Sequence, residues 1–187
     1  MGVRREILRA TVPEAPATGE GARPPAYNAP MSFLRFLMLL ALVVWLGGIV
    51  FFAIMAPNVF AVVPTREMAG QVIARLLTIL HGMGIVAGIV FLLCSLLLAR
   101  LSLGAFKPWA ARNLLVAAML VLTCIAQFYV FARMENLHRD MGVIDQVAPS
   151  DPRRIEFNDL HVCSTRLESG VLLLGLGVVI SLSRRLS

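Results

Sequence analysis

Residues Phe36 to Ala56 form a run of 21 positions without one charged side chain. A hydrocarbon core of roughly 30 Å needs about 20 helical residues at about 1.5 Å each, so this run crosses a bilayer unaided. Leu76 to Ala99 adds 24 positions whose only titratable side chains are His81 and Cys94, and Leu114 to Ala132 adds 19, interrupted by Thr123, Cys124 and Gln127. The last apolar stretch, Gly170 to Leu182, is shorter and must borrow Cys163 to Ser169, which brings Arg166 and Glu168 toward one end. The pattern predicts an all-α, polytopic membrane protein with four transmembrane helices in a bundle, spanning about residues 34–57, 74–100, 111–134 and 161–183. The competing reading of the fourth segment is a shorter helix lying in the interface.

Breaks are written between the runs. Pro57 and Pro64 bracket the exit from the first, where proline should kink or end the helix. Thr65 followed by Arg66 and Glu67 reads as an N-cap and first turn, so the second helix should start well outside the bilayer. Lys107-Pro108-Trp109 opens the third, with Trp109 and Tyr129 placed as interfacial aromatics. Asp151 then Pro152 reads as a cap followed by proline at the first helical position. Before all of these, residues 1–31 form a Pro-, Ala- and Gly-rich stretch with too few large apolar groups to order itself, expected to be a disordered cytoplasmic tail ahead of a transmembrane domain at 32–187. The first apolar run is longer than a signal-peptide core and lies behind that tail, so an uncleaved helix is expected.

Composition agrees with a bilayer protein: 58% of residues are hydrophobic and 15% charged. The net charge of +6 is not a nucleic-acid signature, because the charges sort by loop. The N-terminal tail, the second connection and the C-terminus hold ten cations against three acids, whereas the first and third connections hold seven against eight. Both termini are therefore expected in the cytoplasm. Sixteen arginines to one lysine suggest a GC-rich bacterial genome and hence the inner membrane. The expected partners are the lipid bilayer and other membrane proteins or further copies of the chain.

Polar groups inside spans point to function, because each is costly in lipid and turns toward protein or a cavity. His81, Gln127 and Glu168, one from each of the last three helices, fall at similar depth from the outer surface and define a candidate polar layer. His81 shares a helix face with Gly84, Gly88 and Ser95, so it should face protein. On the fourth helix Arg154, Asn158, His161, Thr165 and Glu168 form one stripe that would line a funnel, which adds His161 and Thr165 to the pocket. The plainer alternative is that His81 and Gln127 only hydrogen-bond between helices and that the stripe is a solvated helix end.

Cysteines 94, 124 and 163 lie at different depths with no C-x-x-C, which suits packing better than thiol chemistry. Copper or haem is the specific check, with His81 and His161 as candidate ligands and Met55, Met83, His138, Met141 and Cys163 in the same half. Met83 points away from His81, and His161 lies about 10 Å nearer the surface, which disfavours a bis-histidine haem. No cofactor is expected; copper or haem at an outward-facing site is the alternative. The first span lacks the carboxylate of a small drug antiporter, and no intramembrane protease set is present. Catalytic residues are not expected, and the chain is read as a noncatalytic bundle acting in transport, stress tolerance or assembly.

Trp45-Leu-Gly-Gly, then Ala56-Pro57-Asn58-Val59-Phe60, and later Leu160-His161-Val162-Cys163-Ser164 resemble the transmembrane-protein-205-like domain of unknown function, a family of small four-helix membrane proteins, over about Phe33 to Leu182. The W-x-G-G opening is also similar to copper-resistance membrane domains. The resemblance marks Trp45, Gly47, Gly48, Pro57 and Phe60 as its motif positions, implies a role in drug tolerance or trafficking without a known reaction or cofactor, and draws attention from Glu168 toward His161. Gly47 and Gly48 are read as permitting a close helix crossing, and Trp45 as an indole needing a partner.

Overall fold

The computed structural model describes residues 28–183, and the tail expected to be disordered lies outside them up to position 27. The protein is all-α, with four helices long and apolar enough to cross a membrane: α1 (Asn28–Val62), α2 (Arg66–Leu103), α3 (Ala111–Met141) and α4 (Pro152–Ser183). Residues 28–31, expected in the tail, are already the first turn of α1.

The helix ends follow local chemistry. Thr65 Oγ1 accepts the Met68 N–H at 3.2 Å and so satisfies one of the orphan donors of α2. Gly104, left-handed at φ 67°, closes the other end of α2 by donating its N–H to Arg100. Asp151 Oδ1 accepts the Arg153 N–H at 2.9 Å, with Pro152 at the first helical position of α4. Pro57 does not end α1, which continues to Val62. The Asn58 side chain donates to the Ile54 carbonyl at 2.7 Å, and only one backbone donor is lost at Pro57, so one further turn survives.

α1 packs chiefly on α2 and α4 on α3, the α2–α3 pair joins the two hairpins, and α1 and α4 meet only slightly. Glycines set the close approaches. A Cβ on Gly84 would lie 2.4 Å from Trp45 Nε1, and one on Gly88 would lie 2.7 Å from Trp45 Cζ3 and 2.6 Å from Leu120. Trp45 therefore lies flat across the glycine face of α2, buried to 3% exposure. Gly48 receives Leu80, and Gly175 of α4 receives Leu46 of α1. Gly47 has nothing within 4 Å and is exposed, contrary to the close crossing expected of it, because two residues from Trp45 is the opposite side of the helix. Phe60 of the same motif is also exposed.

The core between the helices holds Trp45, Phe91, Val116, Met119, Val171 and Val178. The outer surface is apolar too, with Val43, Phe51, Val86, Leu93 and Leu173 all more than 60% exposed. A surface this apolar is a lipid-facing one. α2 has 38 residues, about 57 Å of helix, and so outreaches a hydrocarbon core of about 30 Å. The surplus carries polar pairs at the end of the bundle formed by the α1–α2 and α3–α4 connections, here called the far end. His138 and Glu67 meet at 2.8 Å, and Arg133 and Glu156 form a two-pronged pair at 2.7 and 3.0 Å.

Candidate functional site

α2 and α3 run antiparallel in one register: His81 meets Gln127, Gly88 meets Leu120 and Ser95 meets Asn113. That register places three polar side chains in one layer. His81 lies 15 residues from the start of α2 at 66, Gln127 14 from the end of α3 at 141, and Glu168 16 from the start of α4 at 152. At about 1.5 Å per residue they differ in depth by only about 3 Å.

The imidazole of His81, 1% exposed, is held from both sides. Its Nδ1 lies 2.7 Å from Gln127 Oε1 and its Nε2 lies 2.6 Å from Glu168 Oε1. With Gln127 presenting its carbonyl oxygen, Nδ1–H is the donor. The contact with Glu168 then holds one proton between two bases: an imidazolium Nε2–H donates to the carboxylate, or the Glu168 O–H donates to a neutral ring. Either arrangement keeps the pair hydrogen-bonded, which is what lets ionisable groups persist in an apolar interior. The Glu168 side chain is 16% exposed, so it is the member of the pair nearer to the surroundings.

Local backbone supports the layer. Ala126–Phe131 of α3 is a π-helical stretch, and Gln127 sits inside it. A π-turn widens the helix and re-aims side chains, and such turns occur often at functional sites. No sequence signal marks this stretch, since its six residues, AQFYVF, read as ordinary helix. One turn before Gln127, Thr123 is 2% exposed and its Oγ1 has no hydrogen-bond partner in the protein.

Other candidates fall elsewhere. His161 and Thr165 are exposed, and Thr165 Oγ1 donates to the His161 carbonyl in the usual helical back-bond. They do not join the layer: seven residues of α4 separate His161 from Glu168, about 10 Å along the axis, and Thr165, although nearer, is exposed. The two residues named as metal candidates, His81 and His161, are thus held in different surroundings, and both ring nitrogens of His81 already face oxygen atoms. Among the described residues no group of three His, Cys, Asp or Glu side chains is placed to hold a metal ion. Cys94 is buried, Cys124 partly buried and Cys163 exposed, all as free thiols.

A second polar cluster was not foreseen. At the end opposite the far end, Ser95 donates to Asn113 Oδ1 at 2.7 Å and accepts from Arg112 Nε at 3.1 Å, and Asn113 Nδ2 donates to the Lys107 carbonyl at 3.1 Å. Its signal was the phase that Ser95 shares with His81 on α2. Between the two layers lie Trp45, Phe91, Val116 and Met119, all buried.

Fold and site together define a multi-pass membrane protein with a histidine–glutamate pair between its helices. The chain belongs to the DUF4149 family, a domain of unknown function whose model matches residues 40–142 of the 187. That match takes in most of α1 and all of α2 and α3, hence Trp45, His81 and Gln127, and ends before α4 and Glu168. No match was found among curated proteins or among solved structures.

Proposed function

We propose that this protein is a noncatalytic membrane bundle acting in transport, stress tolerance or assembly of a membrane complex, and that His81 with Glu168 is its working element. One observation carries the reading: a histidine ring nitrogen and a carboxylate oxygen stand 2.6 Å apart inside the bundle, linking α2 to α4, two helices that otherwise make little contact. Histidine is the side chain that changes charge near neutral pH, and a change of charge in an apolar core alters the spacing its surroundings prefer. The pair is therefore read as a proton-operated link between the two helical hairpins. The proposed setting is the bacterial inner membrane with both termini cytoplasmic, as the distribution of cations supports. The resemblance to transmembrane-protein-205-like proteins is compatible with this reading and supplies no reaction. A copper or haem site draws no support from the positions of His81 and His161.

The test is a distance measurement in bilayers. Spin labels on the far ends of α2 and α4 should report a spacing that changes with pH in the native chain and is pH-independent in His81→Gln. A spacing unchanged by pH in the native chain would reduce the pair to a static staple.

A further inference from the structure

We propose that the end of the bundle opposite the far end is a docking surface for anionic phospholipid headgroups, built around the α2–α3 connection by Arg100, Lys107 and Arg112. The inference is independent of the proton-operated link.

Charge separates along this molecule. Every Asp and Glu among residues 28–183 lies at the level of His81 or farther toward the far end, whereas Arg35, Arg100, Lys107 and Arg112 lie on the other side of that layer. No carboxylate side chain among the described residues shares that half. Three of these cations belong to one fixed hairpin. Arg112 Nε donates to the buried Ser95 hydroxyl at 3.1 Å, Ser95 donates to Asn113 Oδ1 at 2.7 Å, and Asn113 Nδ2 donates to the Lys107 carbonyl at 3.1 Å. The Arg100 guanidinium lies 4.9 Å from the centre of the Phe106 ring, beside Lys107 in the chain.

Their depth matches the phosphates of a bilayer. The 19 residues from His81 to Arg100 span about 28 Å, so with His81 inside a core of about 30 Å, Arg100 emerges where the headgroups begin. Phe106 and Trp109 in the same connection are 55% and 83% exposed. Exposed aromatic rings at a helix end seat in the membrane interface, which favours a lipid over a soluble anion as the occupant. Guanidinium and ammonium groups bind phosphate oxygens there, and an acidic headgroup carries the net negative charge that a zwitterionic one lacks. The surface therefore selects anionic lipid.

Trp109 is the natural reporter, because the other tryptophan, Trp45, is buried at 3% exposure. The full chain is reconstituted in phosphatidylcholine vesicles holding a minority of phosphatidylglycerol, with bromines high on the acyl chains of either the phosphatidylglycerol or an equal amount of the phosphatidylcholine; a Trp109→Phe chain supplies the Trp45 background. Bromine on phosphatidylglycerol should quench Trp109 more, by a local excess of about fivefold. That excess should fall at least about twofold in Arg100→Gln/Lys107→Gln, which leaves the Ser95, Asn113 and Arg112 side-chain contacts in place. It should be unchanged in Arg66→Gln/Arg75→Gln, which removes two exposed cations from the far half. Equal quenching by the two labels in the native chain would overturn the proposal, as would an equal loss in the far-half variant. Loss of the excess on adding inorganic phosphate at constant ionic strength would also overturn it, by making the site one for a soluble anion.

Discussion

His81 Nε2 lies 2.6 Å from Glu168 Oε1, joining α2 and α4 across the axis of the bundle. The two residues stand 87 positions apart in the chain, and the contact is the main tie between helices that scarcely touch otherwise. It also makes each partner a liability for the other. Removing one side of a buried, hydrogen-bonded pair leaves the remaining group unsolvated, which typically destabilises by about 3–5 kcal/mol.

His81→Ala should therefore lower stability by roughly 3 kcal/mol, a figure set toward the small end because Glu168 keeps some exposure. Glu168→Gln, which preserves a hydrogen-bond partner for the ring, should lose less. A double-mutant cycle of the two positions, read by thermal unfolding in detergent, should return a coupling of at least about 1 kcal/mol. Additive effects would refute a direct interaction.

Two glycine substitutions make a matched contrast. Gly84→Ala places a methyl 2.4 Å from the buried Trp45 indole, while Gly47→Ala places one in open space. Overpacking of a rigid ring should cost about 1–3 kcal/mol in the first case. The second should be neutral or slightly stabilising, since alanine is the better helix former. Equal melting temperatures for the two variants would contradict the packing described here.

The cap of α4 has a pH signature. The side-chain hydrogen bond from Arg153, followed by the backbone N–H of the same residue, holds the Asp151 carboxyl below its usual range. A carboxyl depressed by folding contributes stability above its unfolded value of about 3.9 and loses it as pH falls through the lower folded value. Asp151→Asn keeps the capping oxygen and removes the charge, so it should be less stable than the native protein at about pH 5 to 7 and converge with it below about pH 4, its own stability changing less with acid. Circular dichroism across that range checks it; parallel acid curves for the two proteins would exclude a role for the Asp151 charge.

The proposed orientation rests on the distribution of charge and is directly measurable. A reporter that functions only in the cytoplasm, fused after Ser187, should be active in a bacterial host. The exposed Cys163 should react with a membrane-impermeant thiol reagent from outside the cell, whereas buried Cys94 should not. The opposite labelling pattern would invert the topology.

Much of this molecule was legible in the residue order because its elements are set by local rules. Four apolar runs of spanning length dictate four helices in lipid, where the backbone has no other way to satisfy its hydrogen bonds. Thr65 and Asp151 announce helix starts through a side-chain oxygen that reaches only two or three residues ahead. Equal depth for His81, Gln127 and Glu168 follows from counting along helices of constant rise. Helical phase alone also turned His81 inward, along a face shared with Gly84, Gly88 and Ser95.

What the residue order could not supply was decided between helices. Counting admitted His161 and Thr165 to the pocket beside Glu168, whereas in the packed bundle both side chains stand exposed. Gly47 and Gly48 are adjacent letters of one motif, yet only Gly48 receives a neighbouring side chain, since the α1–α2 crossing selects one side of the helix. The π-helical stretch at Ala126–Phe131 carries no compositional mark. The unpartnered hydroxyl of Thr123 likewise exists only in three dimensions. Residue order thus determined which groups lie at the depth of His81; the register of α2 on α3 and the diagonal reach of α4 decided that Gln127 and Glu168 are the two that hold it.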